Sequence, residues 1–277
     1  MLKDITLGQY FPGNSIIHRL DPRFKLGLMF LYIIVLFSES SFFGFTLLFC
    51  FTLFIVLASK INLSMILKGL KPLIFIILFV SILNLFYTPG KSVFPDVWLL
   101  RHITVEGIFM TLAMVTRIVL LLTTTTMLTY TTSPIVLTDG IERLLRPLKR
   151  IGLPVHELAM MMTIAMRFIP VLIDETGKIM DSQKARGADF ESGNILRRVK
   201  AMIPILVPLF VSAFRRADEL AIAMESRCYR GDIGRTRLHE LKAQRLDKTA
   251  FFLSVAFFAL VGGLRFIHID AMVMRIF

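Results

Sequence analysis

The chain has 277 residues, of which 55% are hydrophobic, with a mean hydropathy of +0.70 and a formal net charge of +12. That balance excludes an ordinary soluble domain and predicts a membrane protein. Its cations cluster between apolar runs, the pattern that cytoplasmic Lys and Arg impose on membrane topology, and acidic residues interspersed through the basic segments argue against a nucleic-acid ligand.

Residues 1–22 are mixed in character and are expected along the membrane surface. Pro12 and Pro22 in this polar lead, with no small-residue cleavage site after the first apolar core, predict no cleavable signal. Asp21-Pro22-Arg23 predicts a helix start, because proline is tolerated in the first helical turn. Lys25 is expected at the inner headgroup level, its amine extended toward water. Leu26–Phe37 and Phe42–Ala58 are apolar runs separated by Ser38-Glu39-Ser40-Ser41. A helical crossing takes about 20 apolar residues, and the first run is shorter. A tight helical hairpin fits these runs; one long re-entrant element is the alternative.

Lys60, Lys68 and Lys71 punctuate a linker, and Pro72 opens the third crossing, Leu73–Tyr87. Thr88-Pro89-Gly90 ends it, Pro95 keeps the following loop irregular, and Trp98 suits an interface. Glu106–Tyr130 is the fourth crossing. It carries Arg117 at mid-span, and two readings of that cation stand. It faces the protein interior with a functional role, as intramembrane charges commonly do, or the helix is long enough for it to reach a polar cavity. The run Thr123–Thr126 either packs helices or lines a polar path; its hydroxyls bond back to the preceding turn in both cases.

Thr131–Lys248 holds no uninterrupted apolar run long enough to span. Ser133-Pro134 starts a helix over Ile135–Arg150, and Gly152 and Pro154 break the chain after it. A long helix follows from Leu153, kinked at Pro170. Asp189–Asn194 forms a connection, and Ile195–Arg227 is a second long helix with Pro204 and Pro208 near its start. Thr249–His268 is the last crossing, with Gly262-Gly263 available for close helix packing. Basic residues stand before the first run (Arg19, Arg23, Lys25), after the second, and after the fourth (Arg143, Arg146, Lys149, Arg150). The N-terminus and Thr131–Lys248 are therefore expected in the cytoplasm and the C-terminus outside, which five crossings satisfy. The expected fold is an all-α membrane protein: four crossings in residues 1–130, a cytoplasmic coupling-helix domain in 131–248, and a final transmembrane helix in 249–277.

Catalytic chemistry is not legible. There is no Gly-x-x-x-x-Gly-Lys-Ser/Thr loop for nucleotide phosphates, so ATP hydrolysis by this chain is not expected. No His-Glu-x-x-His or Cys-x-x-Cys pattern suggests a metal, and His156-Glu157 is an isolated pair. Cys50 lies in an apolar run and Cys228 in a basic stretch, so no disulfide framework is expected. Gly231-Asp232-Ile233-Gly234 resembles a turn. Met160, Met161, Met162 and Met166 form a soft patch, either core packing or a surface that re-packs against partners.

Two short segments stand out. Ser182-Gln183-Lys184-Ala185-Arg186-Gly187 and Ala223-Met224-Glu225-Ser226-Arg227-Cys228-Tyr229 both close a long helix on small-Arg-small. Ordinary helix ends account for part of this: glycine suits a left-handed stop and arginine suits the helix C-terminus. The same tip occurs twice, however, and the small flanks Ala185, Gly187, Ser226 and Cys228 admit close approach of a partner. An arginine fork can then grip a carboxylate or carbonyls at the bottom of a groove.

Ala185–Gly187 together with Arg216–Gly231 resembles the paired arginine motifs of the T component of energy-coupling factor (ECF) transporters, the EcfT/CbiQ family. Asp21-Pro22-Arg23-Phe24-Lys25-Leu26 resembles the start of that family's first crossing, and Gly234-Arg235-Thr236-Arg237 the segment after its second motif. Cys228 departs from the pattern, since glycine is frequent there. The resemblance implies the membrane scaffold of an ABC-type importer of vitamins or metal ions. It implies that Arg186 and Arg227 contact two cytoplasmic ATPase subunits, with Ala185, Gly187, Ser226 and Cys228 allowing close approach. ATP and Mg would be held by those partners and no cofactor by this chain. A separate membrane substrate-binding (S) subunit would lie against the apolar helix faces, with Met160, Met161, Met162 and Met166 as candidate contacts. Competing readings are a stand-alone permease using Arg117 and the threonine run, and an intramembrane lipid-modifying enzyme. The latter suffers because Asp174-Glu175 and Asp218-Glu219 are adjacent, whereas helical ligands to one site need a spacing of three or four.

Overall fold

The computed structural model describes residues 10–91, 103–188, 190, 194–231 and 243–264. Ten α-helices carry them: α1 Ile16–Arg19, α2 Pro22–Ser38, α3 Phe42–Ser59, α4 Leu63–Leu70, α5 Ile74–Tyr87, α6 Val105–Thr131, α7 Pro134–Leu145, α8 Val155–Ala185, α9 Ile195–Ser226 and α10 Arg245–Leu264. Short 3-10 segments, Lys71–Leu73 and Arg146–Ile151, join α4 to α5 and follow α7. The all-α membrane class is as expected. Trp98, Gly234–Arg237 and most of the Asp189–Asn194 connection lie outside the described residues.

Among the described residues, five helical stretches are long and apolar enough to cross a membrane: Phe42–Ser59, Leu63–Tyr87, Val105–Thr131, Val155–Ala185 and Arg245–Leu264. The number matches the expectation, but the set does not. The first expected crossing is α2, which at 17 residues falls short of that length. Conversely, α8 qualifies, although no spanning run was expected within Thr131–Lys248. Its apolar half is interrupted by single polar residues, which a search for unbroken runs passes over. Lys68 and Lys71 also lie within the continuous stretch Leu63–Tyr87 and not in a linker.

The chain forms two compact units, one from residues 9–140 with 241–277 and one mainly from 141–240. In the first, α2 and α3 are two separate helices and not one re-entrant element; they touch through Tyr32, Phe51 and Thr52, while each packs more closely on α6 and α10 than on the other. Asp21 caps α2 by accepting from the Arg23 amide at 2.9 Å, with Pro22 at its first position. Ser41 caps α3, and Thr104 caps α6. Tyr32, Leu36, Phe45, Leu48, Leu120, Phe258 and Val261 make one buried cluster from α2, α3, α6 and α10. Phe51 and Phe257 stack against its edge, ring centroids 4.9 Å apart. The Tyr32 hydroxyl finds Thr52 Oγ1 at 2.7 Å, which satisfies its polar tip inside the apolar core. A second cluster, Val56, Ile66, Met127 and Tyr130, fastens α4 to α3 and α6. The threonines bond back as expected, Thr123 to the Val119 carbonyl and Thr125 to that of Leu121. At Gly262 and Gly263 an added Cβ would meet nothing within 4 Å, so among the described residues no close helix packing forms there.

Lys25 does not reach for water. It is buried, and its ammonium donates to the Thr131 carbonyl at 3.0 Å, Thr132 Oγ1 at 3.1 Å and the His18 carbonyl at 3.3 Å. The carboxylates of Asp247 and Asp21 counter its charge. Asp247 is 2% exposed and joins two helix starts. It accepts from the Asp21 amide at 2.9 Å and from the Gln244 amide at 2.7 Å. The beginnings of α2 and α10 and the end of α6 thus meet in one buried polar knot. Three helix ends carry unpaired backbone groups at the same level, so a lysine there is better spent on carbonyls than on solvent. The N-terminal segment docks nearby, the Phe11 amide donating to the Tyr130 carbonyl at 3.0 Å. His18 binds the Phe11 carbonyl at 3.0 Å. Burial lowers the His18 pKa, partly opposed by that bond, so the ring stays neutral at physiological pH.

Arg117 faces the protein. Its Nη2 donates to the Glu39 carbonyl at 2.8 Å, and the guanidinium lies 5.4 Å and 5.8 Å from the ring centroids of Phe45 and Phe37. The ties Lys25–Thr131 and Glu39–Arg117 are each separated by about 14 residues, roughly 21 Å of helix, so α2 and α6 run antiparallel in register. The cation therefore clamps the α2–α3 turn to α6. Arg117→Leu is expected to lose about 2 kcal/mol of stability from the charge-assisted bond. A maleimide probe on Ser40→Cys should then label several times faster; unchanged labelling would contradict the clamp.

In the second unit, α8 and α9 pack together. Glu175 on α8 accepts from Ser212 and, at 3.0 Å, from Arg216 Nη2 on α9. Glu142 pairs with His156 Nδ1 at 3.1 Å, tying α7 to the start of α8.

Candidate functional site: two arginine helix ends

Both arginine tips close with the same backbone geometry. In the first, the Gly187 amide donates to the Lys184 carbonyl at 2.9 Å and the Ala188 amide to that of Gln183 at 3.0 Å. In the second, the Cys228 amide donates to Glu225 at 2.8 Å and the Tyr229 amide to Met224 at 3.0 Å. This paired pattern is the Schellman motif, and it requires a left-handed residue just past the cap. Gly187 supplies it at φ 86°, and Cys228 at φ 55°. The cysteine therefore occupies the glycine position and keeps the turn, and each arginine, Arg186 and Arg227, falls at the helix cap.

A non-glycine residue in this region costs about 1 kcal/mol. Cys228→Gly is expected to firm the second tip by about that amount and Gly187→Ala to loosen the first by a similar amount. Amide hydrogen exchange at Tyr229 and Ala188 should move in opposite directions; exchange unchanged in both would contradict the assignment.

Ala185, Arg186, Gly187, Ser226, Arg227 and Cys228 are all exposed. Among the described residues neither guanidinium has a hydrogen bond or ion pair within the chain. Their donors are available, and the last carbonyls of each helix add negative potential around them. The four candidate methionines divide. Met161 and Met162 are 55% and 44% exposed, whereas Met160 and Met166 are half-buried against the chain.

Sequence reading missed the joint between the helices. Glu175 looked like half of an adjacent acidic pair; the informative spacing was Ser212 and Arg216, four apart on α9 and facing one carboxylate. Beside the joint lies a groove of about 440 Å³, walled by Ile164, Phe168 and Leu172 of α8 and by Ala213, Leu220 and Met224 of α9. Along α9, Val199, Ile203, Leu206, Phe210 and Phe214 form an exposed apolar stripe at helical spacing. The unit thus combines two cationic tips with apolar helix faces that its own core does not cover.

A family model described as "Cobalt transport protein", CbiQ, matches residues 13–239. The chain belongs to the EcfT/CbiQ family. Among its relatives, the energy-coupling factor transporter transmembrane protein EcfT of Ruminiclostridium cellulolyticum is 53% identical over 257 residues, 93% of this chain and 96% of that protein. The EcfT of Clostridium kluyveri is 55% identical over 247 residues, 89% of this chain and 92% of the relative. The EcfT of Bacillus subtilis is 45% identical over 268 residues, 96% and 100% of the two chains. This EcfT/CbiQ family member is therefore a T component of energy-coupling factor transporters, a multi-pass membrane protein of transport.

Proposed function

We propose that this T component is a non-catalytic scaffold that couples two ABC ATPase subunits to a membrane S subunit capturing a vitamin or metal ion. Arg186 and Arg227 would each seat in a groove of one ATPase, gripping carboxylates or carbonyls, while Ala185, Gly187, Ser226 and Cys228 let the groove walls close in. ATP and Mg belong to those partners. ATP-driven closure of the ATPases would move α8 and α9, and their apolar faces, Met160, Met161, Met162 and Met166 included, would re-orient the S subunit to release its cargo inward. In this arrangement residues 131–248 form the coupling domain on the cytoplasmic side, with α8, long and apolar enough to cross, lying at the bilayer surface, between the crossings of 1–130 and 249–277, with the N-terminus also cytoplasmic.

The observation that carries the reading is the duplication: two exposed arginine caps, closed by the same backbone motif, on two helices joined to each other. The basic clusters around both ends of the insertion support the orientation. The test is purification of the tagged chain from its own membrane in mild detergent, followed by mass spectrometry of what accompanies it. Two ABC ATPase chains and a small apolar membrane protein are expected. A chain that purifies alone and binds solute by itself would refute the scaffold.

A further inference from the structure

The segment between α7 and α8 has a composition that the coupling reading leaves unused. Arg146, Lys149 and Arg150 are exposed on the 3-10 turn Arg146–Ile151. Residues three apart eclipse one another in a 3-10 helix. Arg146 and Lys149 therefore share one ridge and Arg150 a second, while Leu148 and Ile151 share the third. Ile151 is 80% exposed, and Leu153 just beyond the turn is 44% exposed. Two large aliphatic side chains thus stand in water beside three cations.

The flanking elements say what faces it. α7 precedes the segment, and α8, which is long and apolar enough to enter a membrane, follows it directly. A cationic turn at the head of such a helix is held near the bilayer surface. Cationic and apolar ridges side by side are the arrangement of an interfacial element, where apolar groups enter the acyl boundary and cations meet headgroups. We propose that Arg146–Leu153 is a docking surface for anionic phospholipid headgroups, with Ile151 inserted beneath them. Charge complementarity selects the anionic lipid, because each surface Lys or Arg contributes about a fivefold preference for an anionic over a neutral membrane. This inference does not depend on the arginine tips or on the ATPases.

The full chain carries one tryptophan, which allows a direct test. Trp98→Phe with Ile151→Trp places the only indole at the turn. The protein is reconstituted in vesicles of phosphatidylcholine and phosphatidylglycerol in equal parts, with bromine on the acyl chains of one lipid or the other. Brominated phosphatidylglycerol is expected to quench at least about fivefold more strongly than brominated phosphatidylcholine. Adding Arg146→Gln, Lys149→Gln and Arg150→Gln, or raising the salt, should bring that ratio close to one while quenching by total lipid persists. Equal quenching by the two lipids in the unsubstituted basic turn would overturn the headgroup selectivity. No quenching by either would place the turn in water or against protein. Quenching that disappears when the companion subunits bind would assign the surface to a protein partner, and would overturn the proposal as well.

Discussion

Arg186→Ala combined with Arg227→Ala is expected to leave the protein in the membrane and folded, yet stripped of its ATPases. Both side chains are exposed and make no bond within the chain among the described residues, so their truncation removes nothing from the fold. Both helix ends are closed by backbone bonds that alanine preserves. At an interface, truncating a buried arginine anchor typically costs at least about 2 kcal/mol. Two anchors in separate pockets add, because they share no partner, which predicts binding weaker by about a thousandfold. Each single substitution should give a loss of about thirtyfold. Lysine at either position keeps the charge but not the planar fork, so Arg186→Lys should fall between wild type and alanine. Titration of purified ATPase subunits onto the chain in detergent measures all of these. Full retention of affinity in the double variant would remove the coupling role.

The second large effect belongs to Asp247. Asp247→Ala would strand the buried amide of Asp21, remove the side-chain acceptor of the exposed Gln244 amide, and leave Lys25 without its main counter-charge. The unsatisfied buried donor costs about 1–3 kcal/mol and the uncompensated charge on buried Lys25 adds to it, so a loss of roughly 4 kcal/mol is expected. Asp247→Asn keeps one carbonyl oxygen and should lose less. Lys25→Met added to Asp247→Asn should be milder than the sum of the two, because the pair is removed together and no lone buried charge remains. Denaturant titration in micelles reads the cycle. Strict additivity would mean that Lys25 and Asp247 do not act as one network.

Much of this was legible from residue order. Helix ends announced by local chemistry were found: Asp21-Pro22 for α2, Ser133-Pro134 for α7, and the two arginine caps. Long apolar runs located α3, α5 and α6. α8 was missed as a membrane-compatible helix because single polar residues interrupt its apolar half; most other failures depended on a neighbour distant in sequence. Lys25 reads as a solvent-seeking cation until the end of α6, about a hundred residues away, supplies carbonyls for it. Arg117 left two readings open because its acceptor is the backbone of a turn on another hairpin. Gly262-Gly263 promised close packing, but small residues permit an approach without attracting one. At the site itself, spacing revealed the arginines but not the Glu175 joint, which pairs one residue of α8 with two of α9.

The most direct test is a structure of the chain assembled with its ATPase subunits. Arg186 and Arg227 are predicted to enter grooves on two different ATPase chains, each guanidinium within hydrogen-bond distance of a carboxylate or main-chain carbonyl there. Either side chain found turned toward lipid, or folded back onto its own unit while the ATPases bind elsewhere, would contradict the account.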